Sequence, residues 1–281
     1  MEIRLLAFDL DGTTIVNHRE LPERNRQALL AAAEQGVVLA PATGRMRDFL
    51  PESIRALPVR YAITSNGGAV YDLQTGEALA EELIPSGQAL AIHQILKEYD
   101  IFIEYYTRGH AVTSRALWER ALTELLPPRK HWLAKGKNYE LAEDLEALFR
   151  QGLCPEKVNL PCLTEDQSRE IRRRLAALGG LRPTSSIPDN LEINSERAHK
   201  GRALLMLAGR LGLCPDQLMA VGDNGNDVTM LEAAAYSVAV ENGSAQAKAA
   251  AKMITAPHDQ DGLAQAVERL ILRRGSPLAG A

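Results

Sequence analysis

Short apolar segments alternate with helical segments at both ends of this chain, and that alternation restricts its fold more than any other feature. Buried strands are predicted at residues 3–8, 37–42, 60–64, 218–222 and 237–240. Helices are predicted between them, such as residues 21–35, with Pro22 near the start and Gly36 after the end, and residues 46–57. Residues 68–79 are predicted to form a hairpin. A chain of this kind forms a parallel sheet covered by helices on both faces. We therefore predict an α/β fold with a doubly wound, Rossmann-like core.

The middle of the chain does not follow this alternation. It has the length of a separate domain, and Pro, Ser and Gly residues of the linker type occur at both of its ends. Its predicted helices and strands suggest an α+β cap domain inserted into the core, which is possible when the two ends of an insert lie close together. The predicted division is a first core segment at 1–83, the cap at 84–188 and a second core segment at 189–281, starting with a strand near 191–194.

Polar residues directly follow four of the predicted strands, and ligands of open α/β sheets bind at the carboxyl ends of the strands. Each cluster alone is explained by ordinary turn and capping residues. Four clusters at one rim, with Lys200 at the start of a predicted helix, favour a functional site. The clusters are Asp9-Leu10-Asp11-Gly12-Thr13, Thr43-Gly44-Arg45, Thr64-Ser65-Asn66-Gly67 and Gly222-Asp223-Asn224-Gly225-Asn226-Asp227.

Asp9, Asp11 and Asp223 suit phosphate chemistry assisted by a metal. Oxygen ligands without convergent His or Cys point to a hard cation, Mg²⁺ rather than Zn²⁺. With the charge neutralised, the Asp9 carboxylate can attack a phosphoryl group and form an aspartyl-phosphate. Asp11 is expected to remain protonated, to donate to the leaving alkoxide and then to accept a proton from water. Thr43 and Lys200 are expected to bind the phosphoryl oxygens in the transition state.

Composition excludes several other classes of protein. The formal net charge is −4 and the pI is about 5.9, which argues against nucleic acid as the main partner. The start of the sequence does not resemble a secretory signal, and there is no apolar run of about 20 residues for a membrane span. Cys154, Cys162 and Cys214 form no CxxC pair, which favours reduced thiols in a cytoplasmic protein.

These motifs together resemble those of the haloacid dehalogenase superfamily of phosphohydrolases, and its Cof-type sugar-phosphatase branch fits best. The resemblance extends over essentially the whole chain and includes the large insert between Thr43 and Lys200. Further segments similar to that branch are Thr64-Ser65-Asn66-Gly67-Gly68, His199-Lys200-Gly201 and Val238-Ala239-Val240-Glu241-Asn242-Gly243.

The resemblance implies a role for each residue that matches a motif. Asp9 is then the nucleophile and first metal ligand, Asp11 is the acid/base and ligates the metal through its backbone carbonyl, and Asp223 is the remaining protein ligand. Asp227 supports the metal site or Lys200, and Asn226 lies near the transferred phosphate. Gly44 and Asn66 belong to supporting motifs. Arg45 either contacts the substrate phosphate or pairs with a carboxylate.

The most favoured function is an Mg²⁺-dependent phosphatase for small phosphate monoesters, such as sugar phosphates. A phosphotransferase or mutase on the same scaffold is the alternative enzyme. A phospho-signalling receiver module is disfavoured by the Asp9/Asp11 pair and the large insert, and a non-catalytic sugar-phosphate sensor is disfavoured by the intact acids. The expected partner is a small phosphorylated metabolite rather than nucleic acid or a membrane, and a monomer and a homodimer are both open.

Overall fold

The computed structural model describes residues 2–135, 139–185 and 189–272 of the 281-residue chain. Its strands are β1 Leu5–Phe8, β2 Val38–Pro41, β3 Tyr61–Thr64, β4 Ala69–Asp72, β5 Ala78–Glu81, β6 Glu104–Thr107, β7 His110–Ser114, β8 Tyr139–Ala142, β9 Lys157–Leu160, β10 Leu181–Thr184, β11 Leu191–Ser195, β12 Leu218–Gly222, β13 Tyr236–Val240 and β14 Met253–Thr255. Its helices are α1 Glu23–Glu34, α2 Glu52–Arg55, α3 Ser86–Leu96, α4 Arg115–Arg120, α5 Leu145–Arg150, α6 Glu165–Ala176, α7 Lys200–Arg210, α8 Val228–Ala233, α9 Ala245–Ala250 and α10 Gly262–Leu270.

A parallel sheet of order β14-β13-β12-β1-β2 forms the core. Side chains of β1 alternate between its faces, as the pleat requires. Leu6 and Phe8 pack on the side of α1 and α10, whereas Leu5 and Ala7 pack on the side of α7, α8 and α9. Phe8 is in register with Pro41 of β2 and Val221 of β12, so the polar clusters that follow these strands meet at one edge.

A second, largely antiparallel sheet of order β10-β11-β9-β6-β7-β8 is the cap sheet. One of its faces is apolar: residues such as Tyr105, Val158 and Ile193 pack with α3, α5 and α6. The intervening positions are polar and yet buried, and they include Lys157, Asn159 and Glu192. Buried polar groups require partners, so this second face indicates a site rather than a core.

The predicted fold class, a parallel α/β core with an α+β cap, is confirmed. The predicted hairpin after β3 is present as β4 and β5, and β3 joins the core sheet through a parallel bridge between Ala42 and Ile63. The continuous helix predicted at 46–57 is wrong. Pro51 splits it into a short 3₁₀ turn at Arg47–Phe49 and the single helical turn of α2, because proline is tolerated at a helix start but not inside one.

The division of the chain into core and cap segments remains a prediction, with one correction. The strand near 191–194 was assigned to the second core segment, but β11 pairs antiparallel with β9 and β10 in the cap sheet. A short buried strand has the same local pattern in either sheet, so its partners cannot be predicted from periodicity. Residues 186–188 of the second predicted linker lie outside the described residues.

Two further features bear on the setting of the protein. Cys154, Cys162 and Cys214 are all free thiols. Among the helices of the described residues, none combines the length and the apolar character that crossing a bilayer requires.

Candidate active site

Lys200 lies at the centre of the site, fully buried at the start of α7. Its Nζ donates to Oδ1 of Asp9 at 2.6 Å and to Oδ1 of Asp227 at 2.6 Å. A buried ammonium between two carboxylates is stabilised by their charges. Burial alone would lower the pKa of Lys200, but the charges of Asp227 and Asp9 outweigh it and raise the pKa.

Asp223 brings a further carboxylate to this site, at the end of β12. Its Oδ1 accepts from Oγ1 of Thr13 at 2.8 Å. A side chain at residue 12 would interfere, since a Cβ on Gly12 would lie 2.7 Å from Oδ2 of Asp223. Gly12 also has a φ of +83°, so the position favours glycine for two reasons.

The carboxylates of Asp9, Asp223 and Asp227 crowd together. One oxygen from each lies within 4.8 Å of the others. Burial is the largest influence on Asp9 and, together with the charges of Asp227 and Asp223, raises its pKa well above the usual value despite the opposing charge of Lys200. Burial and the Asp227 charge raise the pKa of Asp223 to about 6. The single positive charge of Lys200 therefore does not neutralise the three carboxylates of Asp9, Asp223 and Asp227.

A hard divalent cation fits this donor set. Asp227 is already occupied, because its Oδ1 accepts from Lys200 and its Oδ2 accepts from the backbone N–H groups of Asp223 and Asn224, each at 2.9 Å. Asp9 and Asp223 are then the carboxylates that would hold the ion, and oxygen ligands suit Mg²⁺. The supporting role that the sequence resemblance implies for Asp227 remains a prediction.

Asp11 is held as a carboxylate by Arg45 and His18. Nε of Arg45 donates to Oδ2 of Asp11 at 2.8 Å, Nη2 donates to Oδ1 at 2.7 Å, and Nδ1 of His18 lies 2.8 Å from Oδ1. Burial alone would raise the pKa of Asp11, but these hydrogen bonds outweigh it and lower the pKa below its usual range. The expectation that Asp11 remains protonated is therefore wrong for this conformation. Of the two alternatives for Arg45, the structure shows the carboxylate pair.

Thr43, Gly44, Asn66 and Asn226 lie at the same rim as the acids. The Thr43 side chain is buried, and its Oγ1 accepts from the backbone N–H of Arg45 at 3.1 Å. Asn66 has a left-handed φ of +59° and receives a hydrogen bond at 3.1 Å from Nδ2 of Asn226. A Cβ on Gly44 would lie 2.9 Å from Oδ1 of Asn66, so the two loops are in close contact.

A cavity covers this rim, and the cap supplies its other wall. Nζ of Lys157 donates to Oε1 of Glu192 at 2.5 Å and to the carbonyl of Gly44 at 2.6 Å. Oε2 of Glu192 accepts from Nδ2 of Asn66 at 2.9 Å. The lining residues are Asp9, Asp11, Thr43, Gly44, Arg45, Phe49, Tyr106, Trp132, Lys157, Asn159, Pro161, Asn190, Glu192, Asp223, Asn224 and Asn226.

This arrangement, with a buried Lys–Asp pair, neighbouring acids and a covering cap, has counterparts among known proteins. The family model described as haloacid dehalogenase-like hydrolase matches residues 6–267. The chain belongs to this family. The haloacid dehalogenase-like hydrolase is an enzyme, and the phosphatase class predicted for it is confirmed, because several of its curated relatives are named phosphatases.

Two curated relatives extend over nearly the whole hydrolase. The pyridoxal phosphate phosphatase YbhA of Escherichia coli is 28% identical over 277 residues, which cover 94% of this chain and 97% of the relative. The 5-amino-6-(5-phospho-D-ribitylamino)uracil phosphatase YcsE of Bacillus subtilis is 26% identical over 273 residues, 97% of each chain. A solved structure of a sugar phosphatase of subclass IIB has the same fold, with a TM-score of 0.75, 21% identity and coverage of 95% of this chain and 98% of the other. The predicted Cof-type branch is confirmed.

Sequence reasoning missed several residues that line the cavity of this hydrolase. Lys157 and Asn159 alternate with apolar residues in β9, and Glu192 does so in β11. Polar residues at every second position of an otherwise apolar strand were the available signal. Two other polar residues of the cap sheet have protein partners: Glu104 accepts from Tyr139 and Asn159, and His110 contacts Glu140 at 3.0 Å.

Proposed function

We propose that this hydrolase cleaves small phosphate monoesters by attack of the Asp9 carboxylate on phosphorus. The observation that carries the proposal is the position of Asp9 at the base of the cavity. It is paired there with the buried Lys200 at 2.6 Å and lies beside Asp223. A second anion can approach a carboxylate only where fixed positive charge compensates both.

In the first half-reaction, an oxygen of Asp9 bonds to phosphorus while the bond from phosphorus to the ester oxygen breaks. Protonated Asp11 donates its proton to the departing oxygen, so the product leaves as an alcohol. Mg²⁺ held by Asp9 and Asp223, with the Asp11 backbone carbonyl, would supply positive charge next to the phosphoryl group. Lys200 and Thr43 contribute fixed hydrogen-bond donors for the phosphoryl oxygens.

The second half-reaction regenerates Asp9. Asp11, now a carboxylate, takes a proton from water as the water oxygen attacks phosphorus, and the bond from phosphorus to Asp9 breaks. Inorganic phosphate leaves, and Asp11 releases its proton to solvent as its pair with Arg45 forms again. It takes up a proton from solvent when the next substrate opens that pair.

For Asp11 to act as an acid, its pair with Arg45 must first open. A substrate phosphate is a competing anion for the Arg45 guanidinium, which binds phosphate and carboxylate with the same planar geometry. Once Arg45 turns toward the phosphate, Asp11 loses the partner that stabilises its charged form. The two roles considered for Arg45 then belong to two stages of one cycle.

The substrate is proposed to be a small metabolite whose non-phosphate part is neutral and polar. The Lys157 charge is balanced by Glu192 within the cavity wall, and Asn159 and Asn190 are neutral polar residues of the same lining. The named relatives act on compounds as different as pyridoxal phosphate and a ribitylaminouracil phosphate. Sugar phosphates are proposed as the first class to test, in a reducing, cytoplasmic setting that agrees with the free cysteines.

The test is phosphate release from a panel of sugar phosphates, nucleotides and pyridoxal phosphate, with Mg²⁺ and with a chelator. We expect turnover that requires Mg²⁺ and that is lost in Asp9→Asn but kept in the exposed control Asp216→Asn. Near-normal turnover in Asp9→Asn would rule out the proposed nucleophile. Transfer of phosphate to an added sugar acceptor in preference to water would favour the phosphotransferase instead.

A further inference from the structure

His18 contacts both members of the Arg45–Asp11 pair. Its Nδ1 lies 2.8 Å from Oδ1 of Asp11, and its backbone carbonyl accepts from Nη2 of Arg45 at 2.8 Å. Because the Asp11 carboxylate can only accept, the hydrogen in the first contact belongs to the imidazole. His18 therefore donates to one specific oxygen of the residue that is proposed to move the proton.

The His18 ring also contacts the cap. It stacks on the indole of Trp132 with 4.2 Å between ring centroids and an interplanar angle of 14°. Trp132 lies in the 3₁₀ segment Pro128–Leu133 and lines the cavity, whereas His18 lies between β1 and α1 of the core. The stack therefore joins cap and core beside Asp11.

The backbone at this point is unusual. Asn17 and His18 both have left-handed conformations, with φ of +50° and +60°. Residues other than glycine adopt this region at a conformational cost, and they keep it where surrounding contacts impose it. Asp11, Arg45 and Trp132 are the contacts that impose it on His18, and all three line the cavity.

We propose that His18 is a positioning residue for Asp11, and that its stack on Trp132 links the orientation of Asp11 to the cap. The inference rests on the proposed function, in which Asp11 is the acid. When Arg45 turns to the substrate phosphate, Oδ2 of Asp11 becomes available for the proton that the leaving oxygen receives. His18 continues to hold Oδ1, so the carboxyl group stays directed into the cavity.

The test compares two substrates whose leaving groups differ in their need for a proton. An alkyl phosphate, such as a hexose phosphate from the panel, leaves as an alkoxide and requires a proton from Asp11. By contrast, p-nitrophenyl phosphate leaves as a stable anion and does not. The ratio kcat/KM reports on steps up to release of the leaving group, so a change confined to the alkyl ester isolates proton donation.

Two variants separate the two contacts of the His18 side chain, the hydrogen bond to Asp11 and the stack on Trp132. His18→Asn keeps an N–H near the position of Nδ1 and tolerates the left-handed backbone, but it lacks the ring. His18→Phe keeps a ring for the stack but lacks the donor. We expect His18→Phe to lower kcat/KM roughly 10- to 100-fold for the alkyl phosphate, with less than about a 3-fold change for p-nitrophenyl phosphate. His18→Asn should recover the part of the loss that comes from the missing donor, and it should keep roughly the 3- to 10-fold loss that a missing stack causes.

Trp132→Leu tests the link to the cap without altering His18. It should reduce kcat/KM for the alkyl phosphate selectively, by roughly 3- to 10-fold, through a less constrained Asp11. His110→Phe is the matched control, since His110 also contacts a carboxylate, Glu140 at 3.0 Å, but does not line the cavity. It should leave both substrates unaffected.

Equal losses for both esters in His18→Phe, or no loss for either, would overturn the positioning role. Absence of selectivity in Trp132→Leu would overturn the link to the cap. The proposed function has its own readouts: it fails if the wild-type protein has no turnover, or if Asp11→Asn shows no selective loss for the alkyl ester. Selective loss in Asp11→Asn without any in His18→Phe would refute the inference about His18 alone.

Discussion

Arg45 binds both carboxylate oxygens of Asp11, through Nε at 2.8 Å and Nη2 at 2.7 Å. The Arg45 side chain is 9% exposed and that of Asp11 is 28% exposed, so the pair is screened less than a surface ion pair. The site described here therefore holds its proposed acid in the charged form, and several properties of the protein depend on that state.

Replacing Arg45 with glutamine should destabilise the fold at pH 7 by about 2 kcal/mol, because Asp11 is left partly buried without its main partner. The pKa of Asp11 is lowered in the folded protein, so the pair contributes stability above the unfolded pKa of about 3.9 and loses it as the pH falls through the lower folded value. Thermal unfolding of wild type and Arg45→Gln should differ at pH 7 and converge toward pH 3. Arg26→Gln, which alters an exposed pair with Glu23, is the control, and a difference that does not depend on pH would contradict this account.

Lys200→Ala should reduce kcat by at least about 100-fold and destabilise the fold at pH 7 by roughly 3–5 kcal/mol, because Asp9 and Asp227 are left without their shared cation. The pKa of Lys200 is raised on folding, so its contribution is fully present at pH 7, below the unfolded value of about 10.4. Phosphate release and thermal unfolding measure the two effects. Lys248→Ala, at a partly exposed pair with Glu241, should change neither. A Lys200→Ala protein with normal kcat would exclude the proposed role of the lysine.

Asp223→Asn should stabilise the metal-free protein at neutral pH, although it removes a proposed metal ligand. The pKa of Asp223 is raised to about 6 on folding, so the contribution of Asp223 to stability is most favourable below its unfolded pKa of about 3.9 and declines as the pH rises through about 6. Asparagine does not titrate, and above pH 6 the gain should be on the order of 2 kcal/mol. With Mg²⁺ the order should reverse, since the ion stabilises only a protein that binds it.

Thermal unfolding with chelator and with Mg²⁺ distinguishes these cases, and the exposed Asp216→Asn serves as the control. If Asp223→Asn were less stable than wild type in chelator at pH 7.5, the electrostatic crowding inferred for this site would be wrong.

Gly12→Ala and Gly36→Ala separate backbone strain from steric conflict with Asp223. Both glycines have positive φ, +83° and +82°, so each substitution should cost about 1 kcal/mol of stability. A Cβ at residue 36 meets no atom within 4 Å, whereas a Cβ at residue 12 would lie 2.7 Å from Oδ2 of Asp223. Only Gly12→Ala should therefore raise the Mg²⁺ concentration needed for half-maximal activity, by roughly tenfold or more. Equal metal dependence in the two variants would contradict the predicted displacement of Asp223.

The core half of the site could be predicted from the sequence because local patterns determine it. The strands β1, β2 and β12 are adjacent, with Phe8, Pro41 and Val221 in register, so the polar residues that follow these strands must share an edge. The family resemblance then gave each acid an expected role, and Asp9, Asp223 and Asp227 do lie within reach of one another.

The cap half could not be predicted in the same way. The partners of β11 depend on contacts with β9 and β10, which lie elsewhere in the sequence, and a strand of five residues carries no signal for either sheet. His18 was overlooked for a related reason. Its proposed role depends on Trp132, more than a hundred residues away, and on a left-handed backbone that histidine adopts in only a small fraction of cases.

The alternation in the cap sheet has a consequence for how enzymes of this kind diversify. The apolar positions that fold the cap and the polar positions that face the cavity are adjacent in the same strands but point to opposite sides, as Val158 does between Lys157 and Asn159. Exchange of the polar set therefore leaves the packing against the cap helices unchanged. An ancestral gene could acquire a new substrate through a few such exchanges while the core half of the site and the packing of the cap were inherited intact.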